Sequence, residues 1–201
     1  MAESEILDRS PSALLPSRFG MFHITVFRDQ HLREHAMIYL GDLTNGEPVL
    51  TRIHSECLTG DTLGSLRCDC GFQLEAALRK ISEQGRGALL YMRQEGRGIG
   101  LFNKIAAYKL QDGGLDTVDA NLRLGFPADG RSYSICADMM RAMGFSKIIL
   151  MTNNPAKIKD ISQHGIEVVA REPLEYGENK YNEEYLRTKE RKMGHLLHHQ
   201  D

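Results

Sequence analysis

The second half of the chain alternates short apolar runs with helical repeats, and this alternation constrains the fold more than any other feature. Apolar side chains predict strands over residues 148–151 and 167–169, and helical spacing predicts a helix over residues 156–164 between them. A turn over residues 152–155 (TNNP) and Gly165 separate these segments. A strand, a helix and a strand in succession form a βαβ unit, so we expect parallel strands with a helix packed across them.

The first half of the chain is rich in strand signals. Residues 22–27, 36–40 and 49–53 are apolar, and polar loops and the Asn45-Gly46 turn signal separate them. A short buried strand is expected over residues 88–92. Helical periodicity predicts further helices over residues 72–84, 102–110, 135–143 and 182–199.

These elements predict an α/β fold (mixed α and β) in which a β-rich N-terminal lobe is followed by alternating strands and helices. We expect a loose N-terminal arm over residues 1–17 and a single compact domain over residues 18–201 that ends in a C-terminal helix. The side chains expected to face inward are Ile105, Ala106 and Leu110 in the helix over 102–110, and Tyr185, Met193 and Leu196 in the last helix.

The charge balance excludes a general affinity for nucleic acid. The chain has 25 basic and 27 acidic side chains, a formal net charge of −2, so an anionic ligand must be bound by local groups. No apolar run has the length of a membrane span, and the first residues are acidic where a signal peptide would be basic. We therefore expect a cytoplasmic protein, in which reduced cysteines serve as metal ligands or catalytic thiols.

Three of the four cysteines, Cys57, Cys68 and Cys70, form a Cys-x10-Cys-x-Cys array. Structural zinc sites are normally closed by four protein ligands, whereas catalytic sites keep one position for water, whose pKa the ion lowers to about 7. The array therefore favours a catalytic zinc site, with a purely structural site as the alternative. His54 is a possible fourth ligand, and Cys136 is better explained as a small buried apolar residue of a helix.

A glycine-rich segment over residues 93–100 (RQEGRGIG) suggests an anion site. Its glycines let the backbone approach an anion closely, and its arginines can bind phosphate oxygens with two hydrogen bonds each. The segment has neither the Gly-Lys-Ser/Thr ending of a P-loop nor the Gly-x-Gly-x-x-Gly pattern of dinucleotide folds. Taken alone, it is better explained as a glycine-rich turn.

Four collinear blocks together resemble GTP cyclohydrolase II, the family that opens the guanine ring of GTP at the start of riboflavin biosynthesis. The blocks are residues 52–61 (RIHSECLTGD), 66–73 (LRCDCGFQ), 93–101 (RQEGRGIGL) and 152–155 (TNNP), and the likeness runs from about residue 15 to residue 197. It implies that the three cysteines bind one Zn²⁺ per chain. The residues that match nucleotide-contacting positions are Arg52, Ile53, His54, Ser55, Glu56, Gln73, Glu95, Gly96, Arg97, Thr117, Thr152 and Lys157.

Three further residues match the family's catalytic positions. Asp129 matches the base, Arg131 the arginine that attacks the α-phosphate, and Tyr108 a tyrosine beside the reacting ring. From the residues alone, Asp129 and Arg131 are better explained by a solvated ion pair in a turn, and Tyr108 by a packed helix residue; only the family resemblance favours the catalytic roles. The histidines His195, His198 and His199 follow a charged helix, and we expect them to be a tail without a chemical role.

The resemblance implies that GTP and water give formate, pyrophosphate and 2,5-diamino-6-ribosylamino-4(3H)-pyrimidinone 5′-phosphate. Mg²⁺ is expected on the triphosphate, since hard cations bind phosphate oxygens, and a homodimer is expected because the family is usually dimeric. We expect no fused butanone-phosphate synthase half. Two alternatives stay open: a variant that stops at the formylamino intermediate, and a zinc-stabilised nucleotide-binding module without turnover.

Overall fold

The computed structural model describes residues 4–127 and 130–197, and within them eight strands form one sheet. The strands are β1 (Ile6–Arg9), β2 (Ala13–Ser17), β3 (Gly20–Asp29), β4 (Glu34–Leu40), β5 (Val49–Ser55), β6 (Gly87–Met92), β7 (Lys147–Met151) and β8 (Glu167–Glu172). Their order is β1-β3-β4-β6-β5-β7-β8, and β2 pairs with β3.

The sheet has an antiparallel half and a parallel half that meet at β6. Strands β1 to β4 pair antiparallel, as does β4 with β6, whereas β5 runs parallel to both β6 and β7, and β7 runs parallel to β8. Every residue of β5 before Ser55 is buried, which is typical of a strand covered on both faces. The expected β-rich lobe and βαβ unit are therefore parts of one continuous sheet.

In the same described residues, six α-helices cover the sheet and its carboxyl edge. They are α1 (Cys70–Gln84), α2 (Gly100–Asp112), α3 (Thr117–Arg123), α4 (Ser134–Ala142), α5 (Pro155–Gln163) and α6 (Glu183–Met193). Ala77 and Ile81 of α1 pack with Leu50 and Leu89 on one face of the sheet. Residues of α4 and α5, such as Ile161, pack on the other face. The layers are thus helix, sheet and helix, and the predicted α/β class is confirmed.

The N-terminal segment departs from the prediction of a loose arm over residues 1–17. Residues Ile6–Arg9 and Ala13–Ser17 are strands that pair with successive parts of β3. They are short, mostly exposed edge strands, and Pro11 and Pro16 interrupt their sequence pattern. Because an edge strand buries little apolar surface, its sequence carries only a weak strand signal.

Two of the residues predicted to face inward, Ile105 and Leu196, are exposed, whereas Tyr185 and Met193 are half-buried as expected. In α2 the buried side chains are Lys104 and Ala107, and Ile105 is 48% exposed. After α6, Leu196 is 45% exposed, and the buried apolar residue of that helix is Leu186. The apolar spacing was misleading in α2 because the inward face carries a cation. None of the helices within the described ranges has both the length and the hydropathy that a membrane crossing requires.

Candidate active site

The carboxyl ends of β5, β6 and β7 meet at one edge of the sheet, and the conspicuous motifs follow directly from them. Ligands of open α/β sheets bind in the crevice outside these strand ends. A cavity there is lined by most of the residues singled out from the sequence: Arg52, His54, Ser55, Glu56, Cys57, Cys68, Cys70, Gln73, Gly96, Arg97, Tyr108, Thr117, Arg131, Thr152 and Lys157.

Three thiols form a compact cluster on one wall of this cavity. The sulfur atoms of Cys57, Cys68 and Cys70 lie within 4.8 Å of one another, and Cys57 Sγ is 3.6 Å from Cys68 Sγ. A Cβ added at Gly60, in the π-helical turn Leu58–Thr62, would lie 2.8 Å from Cys68 Sγ. Glycine at this position therefore leaves room for the sulfurs to converge. Among the described residues, the cluster consists of these three cysteines, and it fits a soft, tetrahedral metal ion.

Neither candidate for a fourth protein ligand belongs to the cluster. Cys136 is fully buried in the core between α4 and the sheet, where burial raises the pKa of its thiol to about 12. His54 Nε2 lies 3.0 Å from Asp61 Oδ1, so this nitrogen is already engaged. The three cysteines would occupy three positions around a tetrahedral ion, and among the described residues the fourth position is left for a non-protein ligand.

Lys104 places a buried positive charge beside the thiols. Its Nζ lies 3.0 Å from Cys57 Sγ, 2.8 Å from Glu95 Oε1 and 3.1 Å from Thr59 Oγ1. Hydrogen bonds from the thiols of Cys68 and Cys70, together with the Lys104 ammonium, lower the pKa of Cys57. A charge on Cys57 in turn helps raise the pKa of Cys68 to about 11. Three thiolates around a divalent ion leave one excess negative charge, which Lys104 offsets.

Asp61 orients His54 at the end of β5. Its carboxylate contacts His54 Nε2, accepts a hydrogen bond from Tyr91 Oη at 2.8 Å, and accepts another from the backbone N–H of Cys57 at 2.9 Å. The ring of Tyr91 also stacks on that of His54, with centroids 5.5 Å apart. Burial lowers the pKa of His54 more than Asp61 raises it, so the imidazole is neutral at pH 7. With Nε2–H donated to Asp61, the buried Nδ1 is an acceptor, and it has no partner in the described part of the chain.

Tyr108 stands beside the thiol cluster and lines the cavity. Its hydroxyl lies 3.2 Å from Thr59 Oγ1, and the guanidinium of Arg67 lies 4.6 Å from the ring centroid. Burial raises the pKa of Tyr108 to about 12, so its hydroxyl keeps its proton at pH 7. The side chain is thus a proton-bearing donor at the cavity wall.

The turn Glu95–Gly98 after β6 holds Arg97 in an uncommon backbone conformation. Gly96 and Arg97 have φ angles of 62° and 63°, in the left-handed region. A non-glycine residue such as Arg97 adopts this conformation at a cost of about 1 kcal/mol. Nη1 of Arg97 is buried and has no hydrogen-bond partner within residues 4–127 and 130–197. The backbone N–H of Gly130 donates to Arg97 O at 3.1 Å, so this turn and the segment leading to Arg131 are fastened together. A strained arginine with an unused buried donor indicates an anion site.

The end of β7 supplies polar groups from the turn predicted at residues 152–155. Asn154 caps α5 by accepting from the backbone N–H of Ala156 at 2.9 Å, and Pro155 occupies the first helical turn. Lys157, one turn later and 5% exposed, donates from Nζ to the carbonyl of Ile53 at 2.9 Å. This bond holds its ammonium at the cavity.

A buried polar chain connects α6 to the sheet beneath the cavity. Lys189 Nζ lies 2.6 Å from Asp69 Oδ1, and Gln73 Nε2 donates to the same carboxylate. Gln73 Oε1 accepts from Arg52 Nη2 at 2.6 Å, and Arg52 Nη1 donates to the carbonyl of Met151 at 2.8 Å. Although burial opposes its charge, Asp69 raises the pKa of Lys189. These contacts fix the relative positions of α1, α6, β5 and β7.

The cavity is strongly cationic although the whole chain is slightly acidic. Among its described lining residues, Glu56 is the one carboxylate, and burial raises the pKa of that group. The cationic lining residues are Arg52, Arg67, Arg97, Lys104, Arg131, Lys157 and Lys189. Such a set in a partly buried crevice attracts an anionic ligand carrying several charges.

Some residues singled out from the sequence lie elsewhere. The side chain of Ile53 belongs to the core, and only its carbonyl approaches the site. Glu95 does not line the cavity; it binds Lys104 and the backbone N–H of Leu58. Asp129 lies outside the described residues, as do His198 and His199.

Sequence reasoning missed several residues of the site. Asp61 lies within a quoted motif but received no role, and Lys104 is hidden among apolar residues of α2. Lys189 belongs to a helix in which charges are common, so its burial could not be anticipated. His195 was taken for part of a tail, but it lines the cavity. The inward orientation predicted for Tyr185 and Met193 did point to this wall, and helical spacing places position 189 on the same face.

Comparison with known proteins gives one family. A family model described as GTP cyclohydrolase II matches residues 8–173. GTP cyclohydrolase-2 of Actinobacillus succinogenes is 57% identical over 194 residues, which cover 96% of this chain and 89% of that protein. GTP cyclohydrolase-2 of Tolumonas auensis is 58% identical over 188 residues, with coverages of 93% and 95%.

A solved structure is more distant. It is described as a crystal structure of RibBX, a two domain 3,4-dihydroxy-2-butanone 4-phosphate synthase from A. baumannii, and aligns with a TM-score of 0.48 and 15% identity over 86% of this chain and 41% of that one. A likeness at this level carries no conclusion. The family model and the relatives do: this chain belongs to the GTP cyclohydrolase II family and is an enzyme of that family, as its four motifs predicted.

Proposed function

We propose that the chain hydrolyses GTP to formate, pyrophosphate and 2,5-diamino-6-ribosylamino-4(3H)-pyrimidinone 5′-phosphate, the first step of riboflavin biosynthesis. The observation that supports this most is that the three-thiol cluster and the cationic residues line the same cavity. A position where water can be activated therefore lies within reach of groups suited to a triphosphate. Family membership supplies the identity of the nucleotide.

Cys57, Cys68 and Cys70 are proposed to hold one Zn²⁺ per chain. Their buried sulfurs are the soft ligands that zinc accepts, and Lys104 offsets the excess charge of three thiolates. When bound by three protein ligands, zinc supplies Lewis-acid activation of water in its open position. All further steps are assigned to side chains of the protein.

Residues at the end of β5 are proposed to bind the guanine base. The neutral His54 offers Nδ1 as an acceptor because Asp61 holds the Nε2–H. Glu56 offers a carboxylate beside it. Two acceptors suit the N–H groups of a 6-oxo, 2-amino purine, and adenine would leave such buried groups unpaired. The other proposed nucleotide contacts are Arg52, Ile53, Ser55, Gln73, Glu95, Gly96, Arg97, Thr117, Thr152 and Lys157.

The triphosphate is proposed to lie against Arg97, Lys157 and Arg131, with Mg²⁺ shielding its charges, since Mg²⁺ prefers phosphate oxygens. Arg131 would attack the α-phosphorus as Asp129 takes its proton, and pyrophosphate would leave with the electron pair of the broken bond. Water would then release the phosphate ester from Arg131. Tyr108 would donate its hydroxyl proton towards charge that develops on the opening ring.

The central experiment measures formate and pyrophosphate released from GTP and from ATP at equal concentration by zinc-loaded protein. Release of both products from GTP, with little from ATP, supports the proposal. Equal release from both nucleotides would contradict the assignment of the base contacts. Zinc analysis of the same preparation should give about one ion per chain, as expected for a three-thiolate site.

Two alternatives predict different outcomes of that experiment. A variant that stops at the formylamino product would release pyrophosphate but no formate, and product mass would reveal the retained formyl group. A zinc-stabilised binding module would release neither product and would unfold when zinc is chelated. Because Tyr108 faces the cavity beside the thiols, we favour complete hydrolysis.

The remaining proposals concern assembly and setting. On α2, Leu101, Phe102 and Ile105 are 38%, 86% and 48% exposed, which suits a homodimer contact. Light scattering after gel filtration would measure the mass of the dimer.

The domain is proposed to comprise residues 18–201 together with the two N-terminal strands that pair with β3. A reducing cytoplasm would keep the cluster cysteines available to a metal.

A further inference from the structure

Helix α6 and the segment after it form a wall of the cavity for which the proposed function assigns no substrate contact. Tyr185, Lys189 and Met193 repeat at intervals of four residues and line the cavity, as does His195. Residues at this spacing share one face of a helix, so α6 presents a continuous stripe to the site. The C-terminal part of the chain thus closes the cavity from one side.

Two backbone hydrogen bonds fix the segment after α6. Gly194 adopts a φ of 65°, a left-handed conformation that ends the helix and turns the chain. The N–H of His195 then donates to the carbonyl of Lys189 at 3.1 Å, and the N–H of Leu196 donates to the carbonyl of Asn153 at 2.8 Å. Since Asn153 follows β7, the segment is fastened to the same loop that borders the cavity.

The ring of His195 faces positive charges and carries an unused nitrogen. Its Nε2 is buried and has no hydrogen-bond partner among the residues that the structure describes. Burial, Lys189 and Lys157 lower the pKa of His195 to about 3 against a weaker opposing effect of Asp69, and Arg131 lowers it further. The imidazole is therefore neutral and can offer one N–H. A buried donor surrounded by cations suits an anionic oxygen as its acceptor.

We propose that His195 is a substrate-binding residue whose Nε2–H donates a hydrogen bond to a phosphate oxygen of the nucleotide. The identity of that nucleotide rests on the proposed function, but an oligophosphate is recognised here without any contact to guanine. The segment after α6 thereby becomes part of the phosphate site together with Lys157, Lys189 and Arg131.

The test is calorimetric titration of the zinc-loaded full chain with inorganic tripolyphosphate and, separately, with guanosine. His195→Ala should bind tripolyphosphate about tenfold more weakly, the usual effect of losing a hydrogen bond to a charged group, and should bind guanosine like the wild type. His195→Gln retains a side-chain N–H and should recover part of the affinity. His31→Ala is the matched control, because His31 is exposed in the turn between β3 and β4.

Three outcomes would overturn the inference: unchanged tripolyphosphate affinity of His195→Ala, a loss confined to guanosine, or equal losses for both ligands. If the alanine variant does not fold, His195→Phe fills the position without a donor and decides the same question. The proposed function fails separately, if wild-type protein releases no formate from GTP. Tripolyphosphate binding that depends on His195 would still establish the phosphate contact in that case.

Discussion

Lys189→Met tests whether the buried polar chain of side chains beneath the cavity, to which Lys189 and Asp69 belong, stabilises the fold. The ion pair between Lys189 and Asp69 spans 2.6 Å, and the two side chains are 11% and 3% exposed. Methionine keeps most of the length of lysine, so the main effect is a buried carboxylate without its cation. Removing one partner of a buried ion pair lowers the free energy of unfolding by about 3–5 kcal/mol. Because Gln73 still donates a hydrogen bond to Asp69, we expect a loss near the lower end of that range, about 3 kcal/mol.

The assay is urea unfolding followed by circular dichroism at a fixed zinc concentration, because a metal that binds only the folded state adds to the free energy of unfolding. The double variant Asp69→Asn/Lys189→Met removes both charges and should regain most of the loss. Lys192→Met is the comparison variant, because Lys192 is 42% exposed beside Asp116, and its loss should be much smaller. A loss below about 1 kcal/mol for Lys189→Met, or a double variant no more stable than the single one, would refute the argument.

Five further substitutions test other parts of the site and fold. Cys68→Ser should abolish formate release but leave some pyrophosphate release, because a serine hydroxyl is a poorer zinc ligand than a thiolate. Arg131→Ala should instead suppress pyrophosphate release. Loss of both products from a folded Cys68→Ser variant that still binds GTP would show that the two steps are coupled. Tyr108→Phe should lower kcat about tenfold with little change in KM, as for a donor used mainly in the transition state, and unchanged turnover would leave Tyr108 a packing residue. Cys136→Ala should keep the zinc content of the wild type, measured by atomic absorption, since this residue lies in the core. Asp29→Asn should lower the free energy of unfolding by about 2 kcal/mol at pH 7 but by little at pH 2. Hydrogen bonds from the turn after β3 outweigh the effect of burial and lower the pKa of Asp29 from 3.8 to about 2. The contribution of its carboxylate to stability is therefore complete above pH 4 and disappears towards pH 2. Equal differences between the two proteins at both pH values would contradict that last expectation.

The sequence predicted six of the eight described strands and five of the six described α-helices, because these elements depend on local periodicity. Residues that follow β5, β6 and β7 converge because these strands are parallel neighbours, a pairing that was expected only for the last two strands. The family resemblance added the residues on α2 and α3, whose positions local patterns do not determine; helix α3 itself was not predicted.

Long-range contacts were beyond such reasoning. Lys104 was not singled out because a lysine within an apolar helix is usually exposed, and its burial depends on Cys57 and Glu95 from other segments. Asp69 and Lys189 are 120 residues apart in the chain. The edge strands β1 and β2 depend on pairing with β3 more than on their own apolar content. His195 needed the fastening of Leu196 to Asn153 before its place could be known.

The position of β5 between β6 and β7 has a consequence for the order of folding. Val49 pairs with Ile148, so one edge of the most buried strand must wait until almost a hundred further residues have been synthesised. Contacts of such sequence separation form slowly because a long loop must close first. During translation, β5 would therefore present an unpaired apolar edge, a template for association with other chains. The ribosome-bound intermediate, more than the finished enzyme, is the state in which we expect this protein to need a chaperone.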